Sequence, residues 1–248
     1  MGELTTKGKL LILLSLIVLL GGIFSLFWDF PWEKNSSPVI EAGKPVTPFS
    51  TLIVQGPIHV THKYAPNYDL RLMGRREYID STWVIQKESV LNISKKMDTP
   101  HAPGRVFADI LGNIRNVKVE QGAYFNTTGT EKLDSLRLTA SGLSTMTISV
   151  PVGKLYANLE GRSHIHLADS VDTLILSVED HARFTCEDGN IGYMSIEHSS
   201  DENVFAGCTQ TIRGNISGAG NLLHPVQTDV DVETKGTGKA IEIEKESK

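Results

Sequence analysis

The sequence predicts an all-β protein: a parallel β-helix, or solenoid, of about six coils of 18–20 residues, preceded by a less regular β region and one N-terminal transmembrane helix. Three observations carry this prediction. An uncharged run of nineteen residues lies near the start, a repeat of 18 to 20 residues begins at Leu136, and apolar and polar residues alternate within every repeat.

In chain order, residues 1–8 form a cytoplasmic N-terminus and residues 9–28 a signal-anchor helix. The run from Leu10 to Trp28, LLILLSLIVLLGGIFSLFW, carries no charge. As a helix it rises about 28 Å, which matches a bilayer core. Lys7 and Lys9 precede it and Asp29 and Glu33 follow, so the charge bias places the body in the periplasm or outside the cell. Phe24, Phe27, Trp28, Phe30 and Trp32 supply the outer interfacial belt. A cleaved signal peptide is the competing reading, but its apolar core is ordinarily shorter and ends in small residues, whereas the exit here, SLFWDFPW, is bulky.

Residues 29–48 form a linker, where NSSPVIEAGKPVTP carries three prolines and reads as an extended spacer. Residues 49–132 form an N-terminal β region that caps the solenoid. Leu52, Val54, Ile58 and Val60 alternate with polar residues across a Gly56-Pro57 break, and DLRLM, STWVIQK and VLNISKK continue as strands. MDTPHAPG, from Met97 to Gly104, is a loop.

Residues 133–244 carry the solenoid, and 245–248 are a tail. Leu136, Leu155, Leu174, Met194, Ile212 and Val230 lead units spaced by 19, 19, 20, 18 and 18 residues, too short for a helical repeat and right for one coil. Of the 24 residues at offsets 0, +2, +4 and +10 from these leads, 21 are apolar. At +1, +3 and +5 only Tyr156 and Ile175 of 18 are apolar, so each unit starts with a strand that buries one face. Offset +6 holds the turn formers Gly142, Gly161, Asp180, Ser200, Gly218 and Gly236, which mark a structural corner between two strands. Such a unit cannot bury its apolar face alone, but stacked coils can.

FSTLIVQGPIHVTHKY, LNISKK, MTISVPVGKLYANLEG and the recurring turns built like ISGAGN resemble the GIN domain family, also described as a putative auto-transporter adhesin head domain. The resemblance covers about residues 49 to 244. It implies a right-handed β-helix-like fold in the bacterial cell envelope, and it brings no catalytic residues. Asp180 and Ser200 depart from glycine at two corners, and 102–124 matches no part of the pattern.

Composition narrows the function classes. A net charge of −5 without any Lys/Arg block gives no footprint for nucleic acid. RGNISGAGNLLHP lacks the third glycine of a dinucleotide loop and the Gly-Lys-Ser/Thr of a phosphate loop, and no cofactor is implied. His164 and His166 share one strand face without an evident third ligand, His59 and His62 do not share one, and His198 points inward, so no metal site is assigned. Glu160 and Glu179 share an outer ladder, with Arg162, His181 and Arg183 near in register, which is the best approach to a two-carboxylate enzyme. Ideal stacking puts Cys186 and Cys208 roughly 8 Å apart, so a disulfide and two buried thiols both stay open. Sequons at Asn35, Asn92, Asn126 and Asn215 carry no weight in a bacterial envelope.

The expected function is therefore a membrane-anchored, exported solenoid acting as a non-catalytic adhesion or scaffold module. Its partners would be the membrane, through the N-terminal helix, and an extracellular glycan or envelope protein. A carbohydrate-active lyase or hydrolase and a scaffold built by self-association are the alternatives.

Overall fold

The computed structural model describes residues 38–95, 105–187, 189–207 and 209–244. The expected anchor helix 9–28 with Lys7, Lys9, Trp28 and Trp32, the loop at 97–104, Cys208 and the tail at 245–248 lie outside the described residues. Among the described residues no helix is long and apolar enough to cross a membrane.

Strands β1 (Val39–Lys44), β2 (Thr51–Gln55), β3 (Ile58–Lys63) and β4 (Asp69–Arg75) lead into a short helix, α1 (Arg76–Asp80). After it come β5 (Thr82–Lys87), β6 (Val90–Lys95), β7 (Val106–Leu111), β8 (Asn116–Glu120) and β9 (Tyr124–Thr128). The repeat then gives one pair of strands per coil: β10 (Leu133–Ala140) with β11 (Thr145–Ser149), β12 (Val152–Leu159) with β13 (His164–Leu167), and β14 (Val171–Val178) with β15 (Arg183–Cys186). It continues through β16 (Ile191–His198) with β17 (Val204–Ala206), β18 (Thr209–Ile216) with β19 (Leu222–Pro225), and β20 (Asp229–Thr234) with β21 (Ala240–Ile243).

These strands form two sheets of ten and eleven strands, each running the length of the solenoid. The first strand of every coil pairs in parallel with the first strand of the next, so Leu136, Leu155, Leu174, Met194, Ile212 and Val230 form one ladder. Met146, Ile165, Phe184, Val204, Leu222 and Ala240 form the matching ladder in the other sheet. Both registers are those expected from the repeat. Alternation sends these side chains between the sheets, where Leu155, Leu174, Met194, Ile165 and Phe184 are fully buried. Each such side chain contributes about 1.5–3 kcal/mol relative to exposure.

Parallel stacking also extends upstream of the repeat, with a change of order. The β2–β3 pair lies between β8–β9 and β6–β7, so the first coil in the chain is the second in space. After β3 the chain leaves through β4, α1 and β5, then returns to lay β6 and β7 beside β2 and β3. At this end of the molecule β4 and β1 add antiparallel to one sheet and β5 adds antiparallel to the other.

The corner after the first strand of each coil takes two forms. Gln121, Gly142, Gly161 and Asp180 occupy it with φ of 56°, 70°, 69° and 57°. The Asp180 carboxylate there accepts a hydrogen bond from the Gly161 N–H at 3.0 Å. Buried Ser144 and Ser163 close these corners by donating to the Val119 and Ala140 carbonyls of the preceding coil, each at 3.0 Å. From Ser200 onward the left-handed residue is gone, and Gly218 and Gly236 stand where coil backbones nearly touch. A Cβ on Gly218 would lie 2.2 Å from the Ser200 oxygen, and one on Gly236 would lie 2.3 Å from the Gly218 oxygen.

Candidate functional site

Packing closes the inward ladders, so any recognition chemistry sits on the outward ones. In the ten-stranded sheet one outward ladder runs Arg137, Tyr156, Ile175, Ser195, Arg213. Beside it run Lys154, Thr173, Tyr193, Thr211 on one flank and Thr139, Asn158, Ser177, Glu197, Asn215 on the other. Hydroxyls and amides dominate this surface, and Tyr156, Ile175 and Tyr193 form an apolar island within it. Ile175 is 37% exposed and Tyr193 40% exposed.

The Tyr156 ring is the centre of a small charge cluster. The Arg137 guanidinium lies 4.6 Å from its centroid and the Lys154 ammonium 5.1 Å. A shallow depression of about 390 Å³ covers this region, with Arg137, Tyr156, Asn158, Ile175, Ser195 and Glu197 in its lining. Other basic side chains nearby are committed to carboxylates: Lys118 to Glu120 at 2.8 Å, Lys132 to Asp172 at 2.6 Å, and Arg213 to Asp229 at 2.6 Å. Glu197 in turn accepts two bonds from the Asn215 amide, at 2.9 and 3.1 Å. A larger hollow of about 800 Å³, lined by Asn190, Thr209, Gln210, Gln227 and Glu244 among others, has no aromatic ring in its lining and one carboxylate.

The structure brings some of the residues singled out by sequence together and parts others. Glu160 and Glu179 stand on neighbouring coils, but each is held within its own coil, Glu160 by the Asn158 amide at 2.8 Å and Glu179 by the Ser177 hydroxyl at 3.3 Å. Arg183 turns to Glu202 at 3.4 Å and His181 to Asp201 at 3.5 Å. Arg162, Glu179 and His181 line one corner hollow of about 640 Å³ together with Asp180 and Asp201, with neither Glu160 nor Arg183 in its lining.

His164 and His166 do converge, on the outer face of the eleven-stranded sheet. His164 Nε2 and His166 Nδ1 each lie 3.0 Å from the Thr185 hydroxyl. Burial, the Arg183 charge and His166 hold His164 below the ordinary histidine range, which favours a neutral His164 ring. His59 stacks on Tyr124 and lies tilted against Phe107, and His62 donates to the Gly112 carbonyl at 2.9 Å. Among the described residues no group of three or more His, Cys, Asp or Glu is placed to hold a metal ion. Cys186 is buried, and Cys208 is outside the described residues.

Arg137, Lys154 and Tyr193 were not singled out by the sequence, although a trace of the site was visible there. Tyr156 and Ile175 are the two apolar exceptions at outward offsets, and they mark the island.

A family model described as "Putative auto-transporter adhesin, head GIN domain" matches residues 48–224. Among solved structures the chain is similar to a putative adhesin from Bacteroides fragilis NCTC 9343, at 14% identity and TM-score 0.75, over 84% of this chain and 98% of that one. It is also similar to putative adhesins from Parabacteroides distasonis ATCC 8503, at 17% identity and TM-score 0.68 over 83% and 98% of the two chains, and from Parabacteroides merdae ATCC 43184, at 16% and 0.66 over 84% and 98%. No curated protein matches the chain. At these identities the structural likeness is one of fold.

Proposed function

The chain belongs to the family of the putative auto-transporter adhesin head GIN domain, and from that premise we propose that it is an exported, non-catalytic adhesion module held at the membrane by its N-terminal apolar run. Adhesion is carried by the outer face of the ten-stranded sheet. The observation behind this choice is the island of exposed Ile175 and Tyr193 with half-buried Tyr156, set among hydroxyls and amides. Exposed apolar groups rimmed by polar ones are the usual mark of a binding surface. A regular sheet also repeats its side chains about every 4.8 Å along the axis, which suits an extended ligand. The separate hydrogen bonding of Glu160 and Glu179 argues against the carbohydrate-active alternative.

The test is binding of the full chain, in detergent micelles, to protease-treated bacterial envelope fragments. Ile175→Ser with Tyr193→Ser should weaken binding about tenfold, the effect of roughly 1.4 kcal/mol of lost contact, while thermal unfolding stays that of the wild type. Equal binding by wild type and variant would remove this face from the adhesion reading. Protease added outside the cytoplasmic membrane of intact spheroplasts should digest the solenoid, and full protection there would overturn export.

A further inference from the structure

We infer that the depression around Tyr156 binds an acidic polysaccharide whose chain runs along the solenoid axis. A carboxylate of one sugar meets Arg137 and Lys154, and the following sugars lie against Ile175 and Tyr193. This rests on the adhesion reading above and gives the ligand its chemical class.

The argument starts from charge. Lys118, Lys132 and Arg213 are already matched by carboxylates, so little of their field is left for a ligand. Arg137 and Lys154 have no carboxylate within 4.0 Å among the described residues and rest instead on the Tyr156 ring. A ring orients a cation without neutralising it, so two uncompensated charges on neighbouring coils flank one ring, Arg137 in the lining of the depression and Lys154 beside it. A guanidinium binds a carboxylate through two parallel N–H bonds, and the adjacent ammonium adds a point charge.

The rest of the face limits how much negative charge the ligand can carry. Two coils beyond Lys154 along the sheet stands Glu197, and the last strand of this sheet presents Asp229, Asp231 and Glu233. A uniformly charged chain, such as a nucleic acid or polyphosphate, is attracted at one end of the face and repelled at the other. A chain whose carboxylates are spaced by neutral sugars avoids that conflict, and its hydroxyls find Thr139, Asn158 and Ser195 between the charged ends. The exposed Ile175 and Tyr193 then cover the apolar faces of the sugar rings.

The experiment titrates the full chain in detergent micelles, at physiological salt, with hyaluronate oligosaccharides, which carry a carboxylate on every second sugar. The carboxyl-reduced oligosaccharide and inorganic polyphosphate serve as parallel ligands, and calorimetry is the readout. The expected result is saturable hyaluronate binding that falls tenfold or more on carboxyl reduction and tenfold or more in Arg137→Gln with Lys154→Gln. Lys132→Gln, a charge removed outside the depression, should leave it unchanged. Carboxyl reduction changes the ligand alone, so the result does not depend on the variant's folding. Absence of saturable binding, an equal loss in Lys132→Gln, or polyphosphate binding as tightly as hyaluronate overturns the inference. If hyaluronate fails while the wild type still outbinds Ile175→Ser/Tyr193→Ser on envelope fragments, the acidic-sugar assignment falls and the adhesion reading stands. Loss of that difference as well removes both.

Discussion

His198 shows how a single position inside the solenoid sets its response to acid. It occupies an inward rung and is 1% exposed, with aliphatic Val178 and Ile216 on either side along the ladder. Burial disfavours the charged form and holds its pKa below the ordinary histidine range, with the Gly220 backbone pulling weakly the other way. His62, His164 and His59 are lowered as well, each with burial as the first cause. For a base whose folded pKa lies below its unfolded one, the unfolded chain takes up the proton first as the pH falls. Stability from these groups is therefore complete above about pH 6.5 and is lost progressively below it, toward the folded pKa. The urea midpoint should drop between pH 7 and pH 5. His198→Leu, which supplies an aliphatic side chain like its neighbours on the ladder, should flatten that drop. A variant with the same pH dependence as the wild type would show that His198 takes up its proton in the folded chain as readily as in the unfolded one.

At the scale of the corner, glycines that look alike in the sequence answer to different physical demands. Gly142 adopts φ of 70°, and a Cβ there would meet nothing nearer than 3.6 Å, so only the left-handed conformation asks for glycine. Gly214 sits inside β18 with φ of 142°, and a Cβ there would also lie 1.9 Å from the Ile196 carbonyl oxygen, so the neighbouring coil excludes a side chain on top of the backbone demand. Gly142→Ala should cost about 1 kcal/mol, the usual penalty for a left-handed alanine, and Gly142→Asn should recover part of it. Gly214→Ala should cost about 3 kcal/mol or more, as expected of severe overpacking that backbone must relieve, and Asn should not help. Chemical denaturation of the four variants separates the two causes, and equal costs for the two alanine variants would refute the distinction. The corner's place was legible because offset +6 recurs, whereas its geometry depends on how far the stacked backbones stand apart, which no single coil's sequence records. The upstream coils were less legible for a related reason. β2–β3 and β6–β7 are spatial neighbours separated by β4, α1 and β5, so no constant period joins them. At the site, Tyr156 and Ile175 stood out as apolar residues at outward offsets, but outward Arg137 and Lys154 are ordinary in any exposed strand. Only their placement over one ring gives them a role.

At the scale of the whole molecule, a solenoid has two ends, and each is a template for pairing unless something blunts it. The end built from the N-terminal β region finishes in antiparallel strands, and the Gln86 side chain of β5 engages both the N–H and the carbonyl of Thr47, at 2.9 Å each. That clasp ties the segment at Thr47 to β5, while Trp83 and Ile85 of the same strand remain 60% and 49% exposed. At the other end β20 has no further strand beside it among the described residues, and Val230 and Val232 alternate with outward Asp229, Asp231 and Glu233. Arg213 and Lys235 temper these charges without removing them. A second copy approaching through β20 therefore brings carboxylates against carboxylates, and like charges directly opposite on paired strands are destabilising by roughly 0.2–1 kcal/mol per pair. The valines beneath them would otherwise gain by burial, so the acids are what keeps this edge open. Asp231→Thr with Glu233→Thr, which substitutes strand-favouring neutral residues, should make the full chain in micelles associate as concentration rises, while the wild type sediments at one value over a hundredfold range. Wild-type filaments would favour the self-assembling scaffold over the adhesion module. A variant that sediments like the wild type at every concentration would mean that the shape of the last coil, rather than its charge, holds the end apart.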